Sequence, residues 1–559
     1  MLRLPHRQVR RSASCLAAAL ALTFFVNSAS AQKSYIGPGG TTTSPTSGNW
    51  NASANWSPSG VPANSAILSF GGSGSSTYTS TNNISNYVLG AVSLTSTSTG
   101  TDIIAGNSFN LGASSSISQD NTGAFAISNG FGGQNTQQTL TLTGNGTGLV
   151  TLSGVITEQN TSHSTILTKT GTSTFALSGA NTFSGATSIN AGIINYQNNS
   201  AFGSDAGTLS AITVASGATA QLQGGITSTA NSLTISGTGA SNATGALENV
   251  SGTNNYTGLV KLGAAATISS DSGTLNLTNT GTITGATFGL TLTGSGDGSI
   301  SSIIGTTTGG VTKSGTGTWT LSGANTYSGA TTINAGTLKL DNNNTTTARL
   351  ANTSGIAVNS GGTLLLAQTG VASTDRINNA AGVTISGGGT FATGGLSEGT
   401  RPTNSSATNG AAGMGALTLQ STSSVSRATI DFLTGANGST LAFSSLVGGN
   451  GAFLDIKNWT GTPFTDESAT GNDRLLFGVD PGLTAAQLAN VRFFDDSGAF
   501  IGAGEIIGYG NMFEMVAIPE PSTWLAAALA LGAIGFSQRK RLRRLRVIRR
   551  SKAFLILTF

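Results

Sequence analysis

Residues 167–192 read LTKTGTSTFALSGANTFSGATSINAG, and residues 311–336 read VTKSGTGTWTLSGANTYSGATTINAG. The two stretches lie 144 residues apart and agree at 19 of 26 positions, and their aromatic changes are conservative (Phe175 against Trp319, Phe183 against Tyr327). A worn copy, Ser251-Gly-Thr-Asn-Asn-Tyr256-Thr-Gly, stands between them. Its Gly252 lies 73 residues after Gly179 and 71 before Gly323. A fixed period made of short units is the mark of a solenoid, in which each unit buries its apolar side only against its neighbours. Within a copy, Thr318, Thr320 and Ser322 alternate with Trp319 and Leu321, which is the period of a strand with one wet side. Gly-Ala-Asn and Asn-Ala-Gly bound these runs, and glycine and asparagine tolerate the positive φ of a tight corner. At roughly 18 to 25 residues per coil, a period near 72 predicts about three coils.

Composition points the same way. Of 559 residues, 80 are glycine and only 8% are charged, which excludes helix bundles and coiled coils. The formal net charge of +4 is an effect of the ends. Four arginines stand in the first eleven residues and nine basic residues between Arg539 and Lys552; the remaining twelve face all 21 acids. The body is therefore acidic, and without a basic patch it predicts no nucleic-acid partner.

Both ends look like export signals. Residues 1–31 carry a basic start, an apolar run from Leu16 to Val26, and Ala29-Ser30-Ala31 before Gln32. Small residues at Ala29 and Ala31 suit signal peptidase, cutting before Gln32. Cleavage there removes Cys15, the single cysteine, so the mature chain is held without disulfides. At the far end, Pro519-Glu520-Pro521 precedes an apolar run, expected to span the membrane transiently over 523–537, and then Arg539, Lys540, Arg541, Arg543 and Arg544. Such a basic cluster holds its end on the cytoplasmic side.

This tripartite end resembles the PEP-CTERM sorting signal, over about 518–546. The resemblance implies that Pro519, Glu520 and Pro521 are recognised by an exosortase-type membrane protease. The chain continues through 547–559, where such signals usually stop. The repeat copies resemble the autotransporter-associated β-strand repeat, which Gly315 to Leu338 follows almost throughout. That resemblance implies an all-β fold: a right-handed parallel β-helix, or β-solenoid, with a small C-terminal capping region and a C-terminal hydrophobic sorting helix. On this reading residues 32–135 form an N-terminal β region or solenoid cap, with Trp50 and Trp56 covering the open end. Residues 136–400 form the solenoid, with copies near 167–192, 251–265 and 311–340, and 401–517 form the C-terminal cap. Leu483 to Val491 is the expected helix, with Thr484 as N-cap.

Few residues suggest chemistry. His163 is the single histidine of the body, so a catalytic triad or zinc site is not expected. Asp205, Glu248, Asp271, Asp297 and Asp341 read as acids scattered singly, and Asp466-Glu467 and Asp495-Asp496 as solvated turns, with Ca²⁺ ligation the alternative for these two pairs. No cofactor, metal or catalytic residue is expected. The expectation is a non-enzymatic secreted bacterial surface or matrix protein, structural or adhesive, with exopolysaccharide as its partner. The alternatives are a polysaccharide-cleaving enzyme on a β-helix scaffold and an autotransporter-like passenger. An enzyme would gather three or more acids with a lysine or arginine on one face.

Overall fold

A computed structural model describes residues 32–159, 162–203, 210–342, 349–369, 375–399, 413–433, 438–448, 451–461, 472–509 and 512–519. The signal segment with Ala29 and Ala31, and the tail with Glu520, Pro521, the 523–537 run and the basic cluster, lie outside the described residues. No helix among the described residues is long and apolar enough to cross a membrane.

Short strands wind into a β-solenoid of about 14 turns. At roughly 4.8 Å per coil it measures about 70 Å along its axis. Three parallel ladders run along it. The first face includes Gln138–Thr143, Thr165–Lys169 and Thr187–Ile189. The second includes Val150–Leu152, Thr174–Leu177 and Gly192–Tyr196. The third becomes regular from Thr253–Tyr256 and Thr274–Leu277 onward. Apolar residues stack inward rung on rung. On the third face Leu277 lies against Ile300, then Leu321, Leu340 and Leu366, all buried. They belong to one continuous core, and a fully buried side chain of this size contributes about 1.5–3 kcal/mol.

The stack is not confined to 136–400. Phe109–Gln119 already pairs in parallel with Gln138–Thr143, and Thr390–Ala392 with Ala428–Asp431. Coils therefore begin within the N-terminal region and continue as far as Val491–Phe494. Antiparallel strands close both ends. Trp56–Ser57 pairs antiparallel with Lys33–Tyr35, and Trp50 and Trp56 are buried there in an aromatic cluster with Tyr35 and Phe70. At the other end Phe500–Tyr509 turns back on Val491–Phe494, and Met512–Pro519 pairs with both Phe500–Tyr509 and Arg474–Phe477. Free ladder edges invite aggregation, and these antiparallel strands cover them.

Two expectations need adjustment. The helix is a single turn, Ala485–Leu488, in which Thr484 and Gln487 form a reciprocal capping box. Val491 is taken from it by pairing with Leu454 in the stack. The repeat is also not a whole number of coils. Along the second face Phe175 leads by paired residues to Ile194, Ala220, Leu247, Ile268, Leu292 and Lys313, six coils on. Trp319, the sequence equivalent of Phe175, sits on the next face, paired with Gly298 and Leu338. The repeated unit is thus a strand–corner–strand module that occupies two different corners of the coil.

Candidate functional site

Each module builds its corner the same way. Asn181 Oδ1 accepts from Ile156 N at 2.9 Å, and its Nδ2 donates to Ala201 O at 3.0 Å, so one side chain ties three successive coils. Asn325 repeats this with Ile304 N at 2.8 Å and Arg349 O at 2.9 Å. In the worn copy Asn254 accepts from Ile226 N at 2.7 Å, but its Nδ2 donates to Asn249 Oδ1 and Ser251 O nearby in the chain, so only the upstream half of the tie is kept.

A second element was not foreseen. Lys169 and Lys313 are wholly buried. Period-2 alternation places Lys169 on the same side as Leu167, inward. Lys313 Nζ donates to Ser314 O, Gly315 O and Ala335 O at 2.7, 2.8 and 3.0 Å, and Lys169 does likewise with Thr170 O, Gly171 O and Ala191 O. All three ammonium donors are met by backbone oxygens, and burial lowers each pKa to about 8. The corner must be glycine at Gly315: its φ is +70°, and a Cβ would lie 2.4 Å from Gly294 O.

The acids are less scattered than the sequence suggests. Glu248 and Asp271, 23 residues and so about one coil apart, share a hydrogen bond. Burial, then the hydrogen bond to Asp271, push Glu248 up to about 7. Burial opposes the charge on Asp271, but hydrogen bonds from Glu248, Ser269 and Thr244 outweigh it and hold its pKa below the usual value. Two carboxyls with separated pKa values are the pattern of an acid–base pair, yet Glu248 is only 4% exposed and no lysine or arginine joins it.

Arginines and acids do meet further along. Glu398 Oε1 accepts from Arg376 N at 2.7 Å and Ile377 N at 2.9 Å, taking the place of the corner asparagine, and Arg376 Nη1 lies 3.4 Å from Glu398 Oε2. Asp341 and Asp375 act on the same pair electrostatically. This corner has the composition expected of an enzyme, but the side chains of Arg376 and Glu398 are 0% exposed, so no substrate reaches them. Near the C-terminal end Asp455 is held by Arg427 and, bidentately, by Arg492. Asp495 Oδ1 accepts from Ser497 N and Ala499 N within its own turn, and Asp466-Glu467 lies outside the described residues. Among the described residues no group of three His, Cys, Asp or Glu is placed to hold a metal.

The outer surface presents hydroxyls in register. Ser116, Thr141, Thr168, Ser188, Thr213 and Thr234 follow one another on the first face. Thr291, Thr312 and Thr332 do so on the second, and Thr318, Thr337, Thr363 and Thr390 on the third. A shallow groove of about 440 Å³, lined by Ser108, Ser128, Gly130, Gly132, Ser153 and Val155, crosses the early coils.

Of the residues expected to be recognised or cut, two are described. Gln32 is exposed just before the first strand, and Pro519 ends the last one, paired with Gly502. Family comparison bears on this end and on the repeats. The passenger-associated-transport-repeat matches residues 167–195 and 311–340, and the PEP-CTERM protein-sorting motif matches 517–542. Neither the curated proteins nor the solved structures hold a match. The sorting motif implies exosortase-dependent processing, and with passenger-type repeats on a β-solenoid it marks a protein exported to the cell surface or beyond.

Proposed function

We propose that this exported protein is a non-enzymatic spacer whose outer rungs associate with exopolysaccharide, after signal peptidase removes residues 1–31. The observation that carries the reading is the set of hydroxyl ladders, repeated at the coil spacing of about 4.8 Å. A polymer of sugar units is itself a repeating array of hydroxyl donors and acceptors, and each hydroxyl pair is weak alone, about 0.5–1.5 kcal/mol. Many in register add up without any single deep pocket. Charge is sparse along the rungs, since Arg376, Glu398, Lys169 and Lys313 are buried, while Lys261 and Lys339 face outward among the hydroxyls.

The test is co-sedimentation of the mature protein with exopolysaccharide from its own organism. Binding should fall at least tenfold when Thr337, Thr363 and Thr390 are changed together to lysine. No recovery of the wild type with the polymer sinks the binding part of the reading. A second reading, polysaccharide cleavage, is favoured by one observation, the Glu248–Asp271 pair. Release of reducing ends by the wild type and its loss in Glu248→Gln would establish it over the first.

A further inference from the structure

Between strands Leu233–Gly237 and Leu247–Ser251 the chain makes an excursion over residues 238–246. The equivalent corners upstream take only 170–173 and 190–191. The excursion folds back over the outward side of the second face. Ala240 N donates to Thr219 Oγ1, and Thr219 Oγ1 donates to Gly245 O, each at 2.9 Å. Thr244 Oγ1 lies 2.6 Å from both Ser269 Oγ and Asp271 Oδ1. Three positions that point outward are buried beside it: Gln221, Glu248 and Ser269.

The strap therefore closes over the carboxyl pair. Gln221 Nε2 donates to Glu248 Oε2 at 3.1 Å, the Thr244 backbone N–H faces Glu248 from the strap, and Asp271 faces it from the next coil. Among the described residues Asp271 is the one charged group acting on Glu248. Two carboxyls in hydrogen-bond contact need one proton between them. With it they form a charge-assisted O–H···O⁻ bond; without it they are two like charges in contact, that of Glu248 buried and that of Asp271 half-buried.

We infer that residues 238–246 are a proton-operated strap, closed while Glu248 and Asp271 share a proton and lifted when that proton leaves. Lifting it presents the column Asn195, Gln221 and Glu248, in which Asn195 Nδ2 donates to Gln221 Oε1 at 3.0 Å. The inference stands whether or not the rungs bind exopolysaccharide.

The strap is tested by hydrogen exchange, with rates corrected for the intrinsic effect of pH. The closed-state Glu248, at about 7, reverts to an ordinary carboxyl near 4.5 on opening. Opening then grows about thirtyfold between pH 5.5 and pH 8.5, and the strap amides should lose protection by that factor. Protection in strands Thr165–Lys169 and Thr174–Leu177 should not change. Glu248→Gln keeps a donor toward Asp271 and cannot ionise, so its strap should stay protected at both pH values. Asp271→Asn removes the like charge and should move the wild-type step to lower pH. Equal strap protection in the wild type at both pH values, or an unchanged step in both variants, overturns the proposal.

Discussion

Asn325→Ala removes two hydrogen bonds that no other group replaces. The side chain is 1% exposed, and its partners, Ile304 N and Arg349 O, belong to the coils on either side. Leaving a buried donor and a buried acceptor unmet costs about 1–3 kcal/mol each, so about 2–6 kcal/mol together. The same substitution at Asn334, in the same module, is the control. Asn334 is exposed and its Oδ1 accepts from Asn359 Nδ2 at 2.8 Å in contact with water, so its loss should cost under about 0.5 kcal/mol. A stack of coils opens locally rather than all at once, which makes amide exchange a better assay than a single melting curve. Exchange at Ile303, Ile304 and Leu350 should accelerate by about 30-fold or more in Asn325→Ala, as 2 kcal/mol requires, while distant coils keep their rates. If Asn325→Ala and Asn334→Ala are indistinguishable, the corner asparagine does not tie the coils, and its recurrence at Asn181 and Asn254 needs another cause.

Two further outcomes follow from the interior. Lys169 and Lys313 have folded pKa values of about 8 against 10.5 unfolded, so the unfolded chain binds more protons above pH 8 and stability should rise with pH, by up to about 3 kcal/mol per lysine. Denaturation midpoints between pH 8 and pH 9.5, below the range in which the buried tyrosines ionise, should climb in the wild type and less steeply in Lys313→Met; a flat wild-type profile counts against it. Gly298 lies under Trp319, and a Cβ there would come within 2.6 Å of the indole, so Gly298→Ala should cost about 1–3 kcal/mol and Trp319→Phe should recover part of it. Strict additivity in that double-mutant cycle would show that the two positions do not pack together.

Much of this was open to reading because the solenoid repeats its logic locally. Thr318, Thr320 and Trp319, Leu321 alternate as a strand must, and they do face out and in respectively. Glycine and asparagine marked the corners for reasons of backbone geometry. The pair Phe175 and Trp319 carried more than it showed: Phe175 lies over Val150 and Trp319 over Gly298, so the larger ring is matched by the smaller neighbour one coil below. That match appears only once the coil length is known. The same holds for Glu248 with Asp271 and for Arg376 with Glu398, whose separations equal one coil, so acids that look solitary along the chain are neighbours across it. The change of face between modules was hidden for a different reason. Two near-equivalent corners accept the same sequence, and nothing within a module records which corner it occupies.

The last strand, Met512–Pro519, is bonded along both edges and leads without a linker into the sorting motif. Tension applied through that end would run along the strand and not across it. Its ladder bonds would then be loaded together in shear, where they share the force, instead of being opened one at a time as in a peeled hairpin. The element that closes the ladder is, for the same geometric reason, a mechanical clamp where the chain enters the sorting motif.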